Sequence, residues 1–79
     1  MTGAGESIPA KLQEQGSDLA KSASVNGLSG LSFQELTILY LYETWKDGAD
    51  WGVVEEMQEN PEDPAEYRRM LIEQYGYNQ

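Results

Sequence analysis

The chain has 79 residues, no cysteine and no histidine, and its 14 acidic and 5 basic residues give a formal net charge of -9. A chain of this length forms one small domain with a thin core, because folding hides only about 60% of the unfolded surface. Without cysteine or histidine the sequence lacks disulfides, thiolate nucleophiles, cysteine-based zinc or iron–sulfur sites, and the usual proton carrier at neutral pH. We therefore expect a protein that is not an enzyme and has no cofactor, metal site or small-molecule substrate.

The negative charge is concentrated in the second half of the chain. Residues 31–79 contain eleven acidic and three basic residues, a net charge of -8, and residues 47–66 contain eight acidic residues without a lysine or arginine. Such a surface repels nucleic-acid phosphates and anionic lipids, so we expect no direct binding to nucleic acid and no membrane binding. The absence of a secretory signal or a long apolar run predicts a cytoplasmic protein.

Residues 1–31 are predicted to form a flexible or partner-ordered N-terminal arm and linker. Ser7 can cap a short helix over residues 8–15 that ends at Gly16, and a further turn or two is expected over residues 18–23. If both pieces form one helix, a glycine inside it costs about 1 kcal/mol relative to alanine. That single helix would place four apolar side chains on one face: Ile8, Leu12, Leu19 and Ala23. The glycine- and serine-rich residues 24–32 are interpreted as a linker.

Residues 32–79 are predicted to form a compact helical domain, so the chain belongs to the all-α class: a three-helix C-terminal unit with a weakly helical N-terminal arm. Each of the three helices has a capping signal before it and a helix-breaking residue after it. The first helix starts after Ser32, which pairs with Glu35, and stops at Gly48. The second starts after Asp50 and stops before Pro61. The third starts at Asp63 and Pro64 and stops at Gly76. The β-branched and aromatic run at residues 37–42 leaves a buried strand open as an alternative.

The first of these helices has two apolar stripes, which is more apolar surface than its short neighbours are expected to cover. We expect one stripe to face the core and the other to bind a partner. The inner stripe comprises Ile38, Leu41, Tyr42 and Trp45, and the second stripe comprises Phe33, Leu36 and Tyr40. Because tyrosine combines apolar contact with a hydroxyl group, exposed tyrosines are added to the predicted partner-binding residues. These are Phe33, Leu36, Tyr40, Tyr75 and Tyr77.

Clustered carboxylates form the other candidate site. The residues Glu55, Glu56, Glu59, Glu62 and Asp63 are predicted to form an exposed acidic face. Acid–base chemistry would require one of them to be desolvated in a pocket, which three short helices offer little room to build. A window of calcium-loop length begins at Asp47, but Ala49 and Trp51 occupy ligand positions within it, so it does not predict a metal site.

Two functional hypotheses follow, and both involve binding to protein. The first is a small accessory or structural subunit of a larger assembly, which binds another protein or copies of itself through the second apolar stripe. Its small size, acidic helical build and lack of catalytic groups are typical of accessory proteins encoded by bacteriophages, although no motif carries that comparison. A phage protein of this kind would be associated with the virion. The alternative is an acidic mimic of nucleic acid that inhibits or regulates a basic nucleic-acid-binding protein.

Overall fold

The computed structural model describes residues 3–79, with side chains from residue 10 onward. It contains four helices: α1 (Gly3–Asn26), α2 (Phe33–Lys46), α3 (Trp51–Glu59) and α4 (Pro64–Tyr75). Helices α1, α3 and α4 all pack against α2, which is therefore the central element. Residues 3–79 contain no strand, so the all-α prediction is confirmed and the strand alternative for residues 37–42 is wrong.

The local signals that start and end α2, α3 and α4 lie where the sequence predicts them. At α2, the Ser32 hydroxyl accepts from the N–H of Glu35 at 3.2 Å, and the Glu35 carboxylate accepts from the N–H of Ser32 at 2.9 Å. This reciprocal pair confirms the capping box. Asp50 and Asp63 occupy the predicted N-cap positions of α3 and α4, but neither side chain makes a capping hydrogen bond. Gly76 ends α4 in the left-handed conformation, with φ 78°.

The N-terminal region forms one continuous helix instead of two short pieces. Helix α1 begins at Gly3, before Ser7, and passes through Gly16 to Asn26, so the predicted Ser7 cap and Gly16 stop are wrong. The side chains of Ser7 and Ile8 lie outside the described residues. Gly16 is buried where α1 meets α2, at a point where a β-carbon would overlap the side chain of Tyr42. Glycine therefore permits a close helix contact here and does not act as a helix stop.

The core surrounds α2 and includes residues from every helix. Its buried apolar members are Leu12 and Ala23 of α1, Leu28 of the following loop, Leu36, Leu39, Leu41 and Tyr42 of α2, Val54 of α3, and Tyr67 and Leu71 of α4. Val53, the neighbour of Val54 on α3, is exposed. Leu28 is completely buried although it lies in the stretch interpreted as a linker. The short loop between α1 and α2 is therefore part of the packed structure.

The C-terminal residues are attached to this loop. The N–H of Leu28 donates to the Asn78 carbonyl at 2.9 Å, and the N–H of Ser29 donates to a Gln79 oxygen at 3.2 Å. Gly27 has a φ of 80°, and the Gln79 oxygen lies 2.5 Å from the place where a β-carbon of Gly27 would be. These bonds join the segment after α4 to the end of α1.

Candidate protein interface

Most of the apolar surface of α2 lies inside the protein. Leu36, predicted to face a partner, is 0% exposed, and so is Leu39, which belongs to neither predicted stripe. Ile38, predicted to face inward, is only partly buried. The predicted outward position of Leu36 is wrong, because the helices packed around α2 cover more of its surface than the sequence predicts. The spacing of three residues between Leu36 and Leu39 is the signal that could have identified this buried face.

Three of the predicted partner-binding residues form part of an aromatic row between α2 and α4. The ring centroid of Tyr67 lies 6.1 Å from that of Phe33 and 5.4 Å from that of Tyr40. Tyr40 in turn lies 6.3 Å from Tyr75, with the two rings edge to face. Such contacts stabilise packed aromatic pairs, so Tyr40 and Tyr75 contribute to the contact between the two helices. Phe33, at the end of the row, remains 45% exposed.

Tyr77 makes an internal hydrogen bond that the sequence analysis missed. Its hydroxyl donates to the carboxylate of Glu43, which is buried on α2. Burial, together with this bond to Glu43, raises the pKa of the Tyr77 hydroxyl well above its usual range. The two residues are far apart in the sequence, and no local pattern links them. Tyr77 thus ties the C-terminal segment to the central helix.

A mostly polar cavity of about 540 Å³ adjoins this pair. It lies between α1, α2 and the C-terminal segment, and Lys21 and Lys46 line it together with Glu43 and Tyr77. Among the described residues, every buried polar side-chain atom has a hydrogen-bond partner. The cavity therefore offers no unsatisfied buried group that would point to a ligand.

The predicted acidic face lies on α3 and the loop that follows it. Its five members, Glu55, Glu56, Glu59, Glu62 and Asp63, are all exposed. The ion pairs of the described residues lie on α4 instead, where Arg69 contacts Glu66 at 2.5 Å and Glu73 at 3.0 Å. The five carboxylates are thus free of cationic partners within the described chain, and they give this side of the protein a negative potential.

An open apolar groove lies over α2, between α1 and the end of α3. Its volume is about 490 Å³, and none of the residues that line it is charged. The lining consists of Phe33, Gln34, Thr37, Ile38 and Leu41 from α2, Gln15 from α1, Gln58 from α3 and Pro61 from the loop after α3. Of these, Leu41 is buried and Phe33 is exposed, so the groove extends from the edge of the core to the surface.

Acidic residues flank this groove on the α3 side. Glu55 precedes Gln58 by three residues and therefore lies on the same face of α3. Glu59 and Glu62 are the chain neighbours of Gln58 and Pro61. On α1 the charges are mixed, since Lys11 precedes Gln15 by four residues and Asp18 follows it by three. The groove thus combines an uncharged apolar lining with a mainly acidic surround.

Comparisons of the chain with protein-family models, with curated proteins and with solved structures found no match to any of them. Within the described part of the chain, no helix is long and apolar enough to cross a membrane. No cluster of acidic side chains in the same region is arranged to hold a metal ion. The basis for a functional assignment is therefore the geometry of the groove and its acidic surround.

Proposed function

We propose that this chain is a non-catalytic protein–protein interaction component, which acts as a small accessory or structural subunit of a larger assembly. The observation that carries the proposal is Phe33, a large aromatic residue that is 45% exposed at an uncharged apolar groove. Aromatic residues at such places often dominate the binding energy of protein interfaces. An apolar surface that a small protein leaves open is also typical of a site for a partner.

Site-specific photocrosslinking tests the proposal. A photoreactive residue replaces Gln34, which lines the groove, and in a control protein it replaces Gln74, an exposed glutamine of α4 outside the groove. In extracts of the source organism, the Gln34 probe should form an adduct with one particular protein, and Phe33→Ala should greatly reduce that adduct. Absence of any adduct above the level at Gln74 would contradict the proposal.

The exposed acidic face supports a second candidate, a mimic of nucleic acid that occupies the basic site of a nucleic-acid-binding protein. Within the part of the chain that the structure describes, these five exposed carboxylates have no cationic partner, and they concentrate negative charge on α3 and the loop after it. In this case charge reversal at Glu55, Glu56 and Glu59 should abolish binding, while Phe33→Ala should leave it nearly unchanged. Strong salt dependence would accompany binding of this kind.

A further inference from the structure

We infer that the groove binds a basic amphipathic helix of the partner protein, which lies on α2 between α1 and α3. This inference rests on the proposed function and specifies the chemistry of the partner at the same surface. Its basis is an apolar groove between two helices and the distribution of charge around it.

The shape of the groove favours a helix. Both α1 and α3 pack on α2, and the groove is the gap between them over the partly exposed side of α2. Ile38 and Leu41 supply apolar contacts in the groove, and Phe33 supplies an exposed ring at its edge. A helix fills such a groove with side chains spaced by three and four residues along one face, in the manner of many helix-binding proteins. The residues that flank the apolar face of that helix then meet the side chains around the groove.

The charge of the surround favours a basic partner. Glu55 shares a face of α3 with Gln58, and Glu59 and Glu62 are exposed chain neighbours of lining residues. Lysine or arginine on the flanks of a bound helix would meet these carboxylates, which steers association and fixes orientation. A second copy of this chain is a poor occupant, because each copy has a formal net charge of -9 and the acidic surrounds would repel each other.

Two synthetic peptides test the inference with the 79-residue chain. Both have leucines at the same helical spacing, and their other positions are mainly lysine in one peptide and mainly glutamate in the other. We expect the lysine peptide to bind at least roughly tenfold more tightly than the glutamate peptide in fluorescence anisotropy, with affinity that falls as salt is added. A lysine peptide with the same composition in a scrambled, non-amphipathic order should bind weakly.

Matched variants locate the binding surface. Phe33→Ala should weaken binding of the lysine peptide by roughly tenfold, the usual scale for an aromatic anchor. Val53→Ala is the control, because Val53 is also 45% exposed but does not line the groove. The double variant Glu55→Gln with Glu59→Gln should weaken binding more than Asp47→Asn with Asp50→Asn. The two double variants remove the same number of charges, so any difference reports the position of those charges.

The outcomes separate this inference from the proposed function. Equal binding of the lysine and glutamate peptides, or equal effects of Phe33→Ala and Val53→Ala, would overturn the inference. The proposed function is decided independently by the Gln34 crosslink. A crosslinked partner that contacts the groove without a basic helix would refute the inference and leave the proposed function in place. Loss of both the crosslink and the peptide binding would refute both.

Discussion

Gly16 of α1 lies directly against the side chain of Tyr42 of α2, and no other residue type fits there without displacing the ring. A β-carbon at this position would overlap the Cβ and Cγ atoms of Tyr42, which lie close to the backbone and cannot move aside easily. Tyr42 is itself buried in the core cluster. The contact therefore fixes how closely the N-terminal helix approaches the central helix.

Replacement of Gly16 by alanine should destabilise the protein even though alanine is the better helix former. The overlap with Tyr42 forces the two helices apart, at a cost of about 1–3 kcal/mol for an overpacked contact. Gly52→Ala is the matched control, because Gly52 lies in helix α3 with open space around it and should gain up to about 1 kcal/mol. Urea denaturation measures the free energy of unfolding of both variants. If Gly16→Ala were as stable as Gly52→Ala, α1 would not pack on Tyr42 in solution, and residues 1–31 would behave as the flexible arm that the sequence predicts.

Truncation of the buried leucines of α2 should lower stability more than truncation of the exposed phenylalanine. Leu36→Ala and Leu39→Ala each leave a cavity in a fully buried site, which costs about 2–5 kcal/mol. Phe33→Ala should cost less, because nearly half of the Phe33 side chain already contacts solvent. Thermal and urea unfolding of the three variants checks this order. A greater loss of stability for Phe33→Ala would mean that Phe33 is a structural residue and not a partner contact.

The sequence predicts the elements of this fold that depend on neighbouring residues. The capping box of Ser32 and Glu35 and the left-handed Gly76 act within one or two helical turns, so their positions can be found without knowledge of the fold. The contact of Gly16 depends instead on a residue of another helix, and glycine within a helix carries the same local signal whether it stops the helix or admits a neighbour. The burial of Leu36 likewise depends on other helices, since the sequence of α2 alone does not show which of its faces those helices cover.

The sequence also predicts only part of the candidate interface, which consists of the groove and its acidic surround. The exposure of the acidic residues on α3 follows from their charge, because an unpaired carboxylate is rarely buried. The burial of Glu43 on α2 does not follow from its charge. Its carboxylate accepts a hydrogen bond from the hydroxyl of Tyr77, which is distant in the sequence. The groove itself brings together Gln15, Phe33 and Gln58 from three helices. Only the packing of those helices places the three residues together.

Removal of the Tyr77 hydroxyl should destabilise the protein at neutral pH. Tyr77→Phe deprives the buried Glu43 carboxylate of a donor, and loss of such a bond costs about 1–3 kcal/mol. The pKa of Tyr77 is raised in the folded state, so the folded protein keeps the phenol proton at a pH where the unfolded chain has lost it. The contribution of the Tyr77 hydroxyl to the free energy of unfolding is therefore complete below about pH 10, the ordinary tyrosine pKa, and it falls as the pH rises further.

Urea denaturation of the wild type and Tyr77→Phe at several pH values tests this linkage. The stability difference between the two proteins should be constant near neutral pH and should narrow in alkaline solution. Burial also raises the pKa of Tyr75, but this group is present in both proteins and its titration largely cancels in the difference. A difference that widened with rising pH would contradict a hydrogen bond from Tyr77 to Glu43 in the folded protein.

Replacement of Gly27 by alanine should detach the C-terminal segment from the loop between α1 and α2. Gly27 has a φ of 80°, which costs an alanine about 1–2 kcal/mol, and the added methyl group would crowd the Gln79 oxygen. Gly30→Ala is the control, because Gly30 has open space around it and no positive φ. Hydrogen exchange at the N–H groups of Leu28 and Ser29 should accelerate strongly in Gly27→Ala and remain near the wild-type rate in Gly30→Ala. Fast exchange of both amides in the wild type would show instead that Asn78 and Gln79 do not hold this loop in solution.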